Sequence, residues 1–175
     1  MIEDVSVRRV TANEAAFFVD RLADILIDCV EGGASVSFMW PLPRARALAF
    51  WRGVANDIEH HERVLLVAED RDAQILGTVQ MIPAESDNQP YRADVAKMLV
   101  HREARRRGIG QRLMAAIADV ARVEGKTVLL LNTKTGSPAE RLYDRVGWRR
   151  AGTIPKCALT PTGELCGKTI YYKHL

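Results

Sequence analysis

The chain lacks any apolar run near the ~20 residues needed to cross a bilayer, so no membrane span is predicted. Its opening Met1-Ile2-Glu3-Asp4 is acidic and has no apolar h-region, which argues against a secretory signal. Cysteine is scarce: Cys29, Cys157 and Cys166 cannot all pair, and this excludes a disulfide framework. Together these absences predict a reducing, cytoplasmic setting. Histidine is equally sparse, four residues with neither Cys-x-x-Cys nor His-x-x-x-His spacing, so no metal is expected. His60 and His61 are neighbours whose side chains diverge on a helix, and they are read as surface. There is no internal repeat and no long linker.

What is present is ordinary in amount and uneven in place. A length of 175 residues suits one domain, and 47% apolar with 27% charged residues can build a full core without staples. The net charge is only +3. Residues 102–112, however, hold five arginines and one acid, Glu103, a net +4 that leaves −1 for the rest of the chain. The basicity belongs to one short segment. No aromatics are interleaved with it to stack on bases, so no nucleic-acid partner is expected.

Residues 5–10 are β-prone. Thr11-Ala12-Asn13-Glu14 fits a capping box, and Phe18, Leu22, Ile25, Leu26 and Cys29 follow at helical spacing until Gly32-Gly33. Pro41 and Pro43 suit the start of a second helix, with Leu48, Trp51, Val54 or Ala55, and Ile58 on its buried face. The pattern then changes to strands at 64–68 and 75–82, joined by a polar turn over 70–74, with a third strand at 92–100. A helix is predicted over 110–124 and a buried strand at 128–131. Ser137-Pro138-Ala139-Glu140 reads as a second capping box that opens a helix to 146. Residues 148–154 and 169–173 close the fold as strands. The strand–helix–strand units of the second half predict an α/β (α+β) single domain with a mixed sheet.

The chemistry concentrates between the strand at 92–100 and the helix after it. That junction reads Arg105-Arg106-Arg107-Gly108-Ile109-Gly110-Gln111-Arg112. A helix N-terminus offers unpaired N–H groups and a positive dipole end. Glycines allow close backbone approach, and arginines add bidentate donors for phosphate oxygens. These are the parts of a pyrophosphate cradle. A dinucleotide fingerprint fails because position 113 is Leu, and the Gly-Lys-Ser/Thr of a P-loop is absent.

Arg105, Gly108 and Gly110 match the Gln/Arg-x-x-Gly-x-Gly/Ala signature that follows the fourth strand in the GNAT superfamily of acyl-CoA N-acyltransferases. Ala139-Glu140-Arg141-Leu142-Tyr143, with Gly147-Trp148, matches a second mark of that family. The resemblance extends over the element order of the whole chain. It implies the GNAT fold, with a central, largely antiparallel sheet flanked by helices, and direct acetyl transfer from acetyl-CoA to an amine. Within the family, residues 32–39, 91–98 and 170–175 look similar to members that acetylate a small toxin or antimetabolite amino acid.

The resemblance also implies roles. Met98, Leu99 and Val100 would pair with the pantetheine arm, and one N–H there would face the acetyl oxygen. The cofactor cradle would comprise Arg105, Arg106, Arg107, Gly108, Ile109, Gly110, Gln111 and Arg112, mainly through backbone N–H groups. Ser137 would cap its helix and contact CoA, standing after Gly136 where the family usually has Asn. Tyr143 would protonate the departing thiolate. Asp94 is the candidate general base, in a place where toxin-resistance members carry Glu; Asn132, where they carry Asp, would orient the acceptor. Gly33, Ser35 and Ser37 would line the acceptor wall. Cys29 is read as core.

The expected partner is a small amine, with the chain a monomer or homodimer and no membrane contact. Two other readings stay open. One is a protein or peptide N-acetyltransferase, which would need an open groove. The other is a CoA-binding module without catalysis.

Overall fold

Thr11 starts the helical part of the chain as its spacing predicts. The Thr11 Oγ accepts the Glu14 N–H at 3.3 Å, and the Glu14 carboxylate accepts the Thr11 N–H at 2.8 Å. The structure is a computed structural model that describes residues 5–175, so the acidic opening Met1-Ile2-Glu3-Asp4 lies outside the described residues. The elements run β1 (Ser6–Arg9), α1 (Ala12–Phe17), α2 (Val19–Glu31), α3 (Arg44–Glu59), β2 (Val64–Glu69), β3 (Ile75–Pro83), β4 (Arg92–Val100), α4 (Ile109–Val123), β5 (Val128–Lys134), α5 (Pro138–Arg145), β6 (Arg149–Leu159) and β7 (Leu165–His174). A 3₁₀ turn, Arg102–Ala104, stands between β4 and α4.

The seven strands form one sheet in the order β1-β2-β3-β4-β5-β7-β6. Every neighbouring pair is antiparallel except β4 and β5. The expected mixed, largely antiparallel sheet is therefore present. Both faces carry a core, which explains why β2 is buried along its whole length. Val64 and Leu66 pack with Leu113 and Ile117 of α4. Leu65 and Val67 pack with Leu22, Ile25 and Trp51 of the α1–α3 layer.

Three expectations need correction. The first helix is broken at Phe18, where φ and ψ are −85° and 2°, and the break lets α1 and α2 each lie against α3. The closing strands extend well past the predicted limits, because β6 and β7 form a long hairpin through the turn at Thr160, whose N–H donates to the Glu164 carbonyl at 2.8 Å. The capping box at Ser137 does not form. Ser137 Oγ lies 3.2 Å from Thr133 Oγ1, and the Glu140 carboxylate accepts the Gly136 N–H at 3.0 Å and Arg150 at 2.9 Å. Pro138 does occupy the first turn.

Gly77 allows β3 and β4 to approach. A Cβ there would stand 2.6 Å from the Leu99 carbonyl oxygen. Gly77→Ala is expected to destabilise the fold by about 3 kcal/mol, lowering the melting temperature by roughly 6–12 °C in thermal denaturation.

Candidate active site

The two parallel strands are paired over only three positions, Arg92 with Val128, Ala93 with Leu129 and Asp94 with Leu130. Beyond that point β4 keeps β3 as its partner and β5 keeps β7. The strands part, and a cleft of about 550 Å³ opens between them. A bulge assists the parting. Between the pairs Thr78–Leu99 and Gln80–Ala96, β4 carries one more residue than β3, and Lys97 there has a φ of +47°. The Thr78 hydroxyl donates to the Lys97 carbonyl at 2.9 Å and fixes the bulge. An extra residue of this kind bends and twists its strand.

One wall of the cleft is β4, through Met98, Leu99 and Val100; the opposite wall includes Asn132. The mouth is closed by the N-terminus of α4. Gly108 caps that helix in the left-handed region, φ +75°, with no side-chain cap. The first helical bond runs from the Arg112 N–H to the Gly108 carbonyl at 3.1 Å. The N–H groups of residues 106–111 therefore have no acceptor among the described residues. Gly110 packs closely against α5: a Cβ there would meet Leu142 Cδ2 at 3.0 Å.

The arginines divide into internal and external. Arg102 is spent on Asp28 at 2.6 Å and Glu31 at 2.5 Å. Burial alone would raise the Asp28 carboxyl, but the Arg102 backbone N–H and guanidinium, with His101, hold it below the usual carboxylate value. Arg105 donates to the Val100 carbonyl at 3.0 Å and approaches Cys29 Sγ at 3.8 Å, tying the cradle loop to β4 and α2. Arg112 donates to the Val5 carbonyl. Arg106, which lines the cleft, and exposed Arg107 have no side-chain partner among the described residues.

Tyr143 comes from α5 and lines the cleft at 6% exposure. Its ring packs against Trp148 and Tyr171, with centroids 6.2 and 5.7 Å away. Burial, with a smaller contribution from Tyr171, pushes its phenol up to about 12, so it holds its proton at any physiological pH. Cys29 also lines the cleft, and burial pushes its thiol up.

Among the sequence candidates, the structure brings Gly33, Ser35, Met98, Leu99, Val100, Arg105, Arg106, Gly108, Ile109, Gly110, Gln111, Asn132, Ser137 and Tyr143 to this one cleft. Ser37, Asp94, Arg107 and Arg112 are not part of its lining. Asp94 sits at the last paired position of the fork, with its carboxylate 3.3 Å from Arg92. Sequence reasoning missed Lys97, whose one available signal was a charge placed mid-strand.

The sequence agrees with the geometry. The acetyltransferase (GNAT) domain family model matches residues 61–150. An uncharacterized N-acetyltransferase from the hisH-hisA intergenic region of Azospirillum brasilense is 31% identical over 135 residues, which cover 75% of this chain and 76% of that protein. The chain belongs to the GNAT acetyltransferase family. Its fold is shared by a GCN5-related N-acetyltransferase from Kribbella flavida, with a TM-score of 0.79, 22% identity and full coverage of both chains. The yncA acetyltransferase of Salmonella typhimurium, solved with its cofactor acetyl-CoA, aligns with a TM-score of 0.75 and 18% identity over 99% of this chain and 95% of that one.

The GNAT cleft here fits a CoA thioester on its own terms. Six consecutive N–H groups without an acceptor among the described residues, running from the loop into the N-terminus of α4, suit a pyrophosphate, and the parted strands leave backbone unpaired for an extended arm. Among the described residues there is no cluster of three metal-binding side chains, and no helix is long and apolar enough to cross a membrane.

Gly108→Asp tests the cradle. Asp tolerates the left-handed conformation better than most residues, and a Cβ at 108 meets nothing within 4 Å, so the fold is retained. Titration calorimetry with CoA is expected to show affinity reduced by at least about tenfold, and an unchanged affinity would remove the cradle assignment.

Proposed function

We propose that this GNAT protein is an acetyl-CoA-dependent N-acetyltransferase acting on the primary amine of a small molecule, of the toxin or antimetabolite amino-acid kind. The observation that carries the reading is the union, in one cleft, of Arg106 and Gly108–Gln111, whose amides have no acceptor among the described residues, with a neutral, buried Tyr143. Acetyl-CoA supplies the acyl group as a thioester. Residues 106–111 bind the pyrophosphate, and the exposed guanidiniums of Arg106 and Arg107 add charge beside it. Met98, Leu99 and Val100 hold the arm along β4, and an N–H of that strip stabilises the developing oxyanion. Tyr143 gives its proton to the departing thiolate. Asn132 orients the acceptor, and Asp94 receives the amine's proton through water. Ser137 contributes a hydroxyl at the start of α5.

A small acceptor is favoured over a protein by the wall that follows α2. Trp40 N–H donates to the Pro161 carbonyl at 2.9 Å and Ser35 Oγ to the Leu159 carbonyl at 3.4 Å, so this segment is tied to the β6–β7 hairpin. Tabtoxin-resistance-like detoxification is supported by the resemblance of residues 32–39, 91–98 and 170–175. A screen of small amines with acetyl-CoA, reading released thiol, tests the assignment; turnover only with peptides would favour the protein-directed alternative.

Tyr143→Phe is expected to lower kcat by about 100-fold while CoA affinity stays within about twofold by calorimetry. An unchanged kcat would leave a binding module as the better reading.

The pH profile follows from the buried phenol. Only the protonated form donates, and deprotonation waits until about 12. The kcat is therefore expected to rise as the amine deprotonates and then hold a plateau past pH 10, where an ordinary phenol of pKa ~10 would already fail.

A further inference from the structure

Lys97 is an unexplained cation in the cleft wall. It is one of the residues lining the cleft, at the β4 bulge, and its side chain makes no ion pair or hydrogen bond among the described residues. Its ammonium lies 5.8 Å from the centre of the Phe38 ring and 5.4 Å from that of Phe50. Two aromatic faces hold the charge in place but bring no negative partner. The charges around it make its position worse. Burial, with smaller like-charge contributions from Arg63 and Lys168, lowers the ammonium to about 8. No carboxylate is among the charges that act on it; Asp57 is paired with Arg63 at 2.8 Å, and Asp94 on the same strand with Arg92 at 3.3 Å. Gln80, the register partner of Ala96, uses its Oε1 to accept from Arg63 at 2.6 Å and leaves Nε2 fully buried without an acceptor.

Lys97 on β4 and the Gln80 amide on β3 are thus left without an anion or acceptor among the described residues, while Arg63 and Arg92 have theirs. A partly buried ammonium without a counter-ion is costly. The arrangement suits a ligand that brings the missing negative charge. We propose that Lys97 determines acceptor specificity by binding a carboxylate of the acceptor, so that the enzyme acetylates amino acids in preference to the same amines without a free carboxylate. The proposal rests on the N-acetyltransferase reading above and narrows its acceptor class. Lys97 recognises the acceptor and takes no part in the transfer itself.

The test pairs the common amino acids with their carboxamides, for example leucine with leucinamide and lysine with lysinamide, using acetyl-CoA and thiol release. KM is the readout, because the amide's less basic amine changes kcat for unrelated reasons. For the acceptors used, the acid is expected to have a KM lower by about tenfold or more than its amide. In Lys97→Met that ratio is expected to fall to within about twofold of one, and in Lys97→Arg to be largely kept. Calorimetry with acetyl-CoA on all three proteins reports whether the cofactor half is intact. If acetyl-CoA binds but acids show no advantage, or neither acids nor amides are turned over, or Lys97→Met keeps the full preference, the anion site is refuted and the N-acetyltransferase assignment survives. If the wild-type protein does not bind acetyl-CoA, both fall together.

Discussion

The structure turns on two parallel strands that begin side by side and do not finish so. β4 and β5 hold three paired positions and then separate, each retaining its other neighbour. Breaking a sheet in its middle exposes backbone groups that would ordinarily be paired, a cost that buried N–H and C=O groups rarely bear without a partner. The chain contains the loss by bending β4 at the Lys97 bulge, with its carbonyl held by Thr78. What remains open is a slot lined by backbone on one side. The N-terminus of α4 at its mouth and Tyr143 in its wall have their meaning only because the slot exists.

The charge of the cradle is less than its composition suggests. Five arginines over residues 102–112 look like a strong electrostatic lure. In the fold, three of their guanidiniums have internal duties: Arg102 with Asp28 and Glu31, Arg105 with the Val100 carbonyl, and Arg112 with the Val5 carbonyl. On the proposed function, recognition of phosphate therefore falls first on the N–H groups of residues 106–111, the last of which begin α4 and take their direction from it. The arginines chiefly hold that loop against β4 and α2. A side-chain count overstates the anion affinity of such a segment, and backbone geometry carries most of it.

This division explains what could be read before the structure. The strand at Arg92–Val100 and the glycines after it were legible because their signals are local: apolar alternation, then residues that permit a left-handed turn. Gathering Tyr143, Asn132 and the cradle into one place came from the family's motif spacing. The bulge was not legible. One extra residue in a strand reads as a lapse in the period-2 pattern, and its partner Thr78 is 19 positions away. The capping box at Ser137 failed for a related reason. Its motif competes with other partners: Thr133, four residues earlier, takes the Ser137 hydroxyl, while Gly136 and Arg150, the latter from β6, take the Glu140 carboxylate. Asp94 was placed on the right strand, yet which wall its carboxylate serves depends on Arg92 and on the point where the strands part.

The two halves of the cleft differ in what they are made of, and that difference bears on how such a fold changes substrates. In the proposed function the CoA half is backbone: the amides of residues 106–111 and the strip at Met98–Val100. A substitution there leaves the interacting atoms in place unless it adds bulk or alters a required φ, as at Gly108 or Gly110. The acceptor half, on the same proposal, is side chains of the cleft lining, among them Lys97, Asn132 and the residues following Gly33. A single substitution there changes charge or shape at once. Cofactor use is thus buffered against mutation while acceptor choice is not, so one scaffold can keep its chemistry and exchange its amines. The bulge joins the two halves, since it lies where β4 parts from β5 and includes Lys97, a residue of the cleft lining.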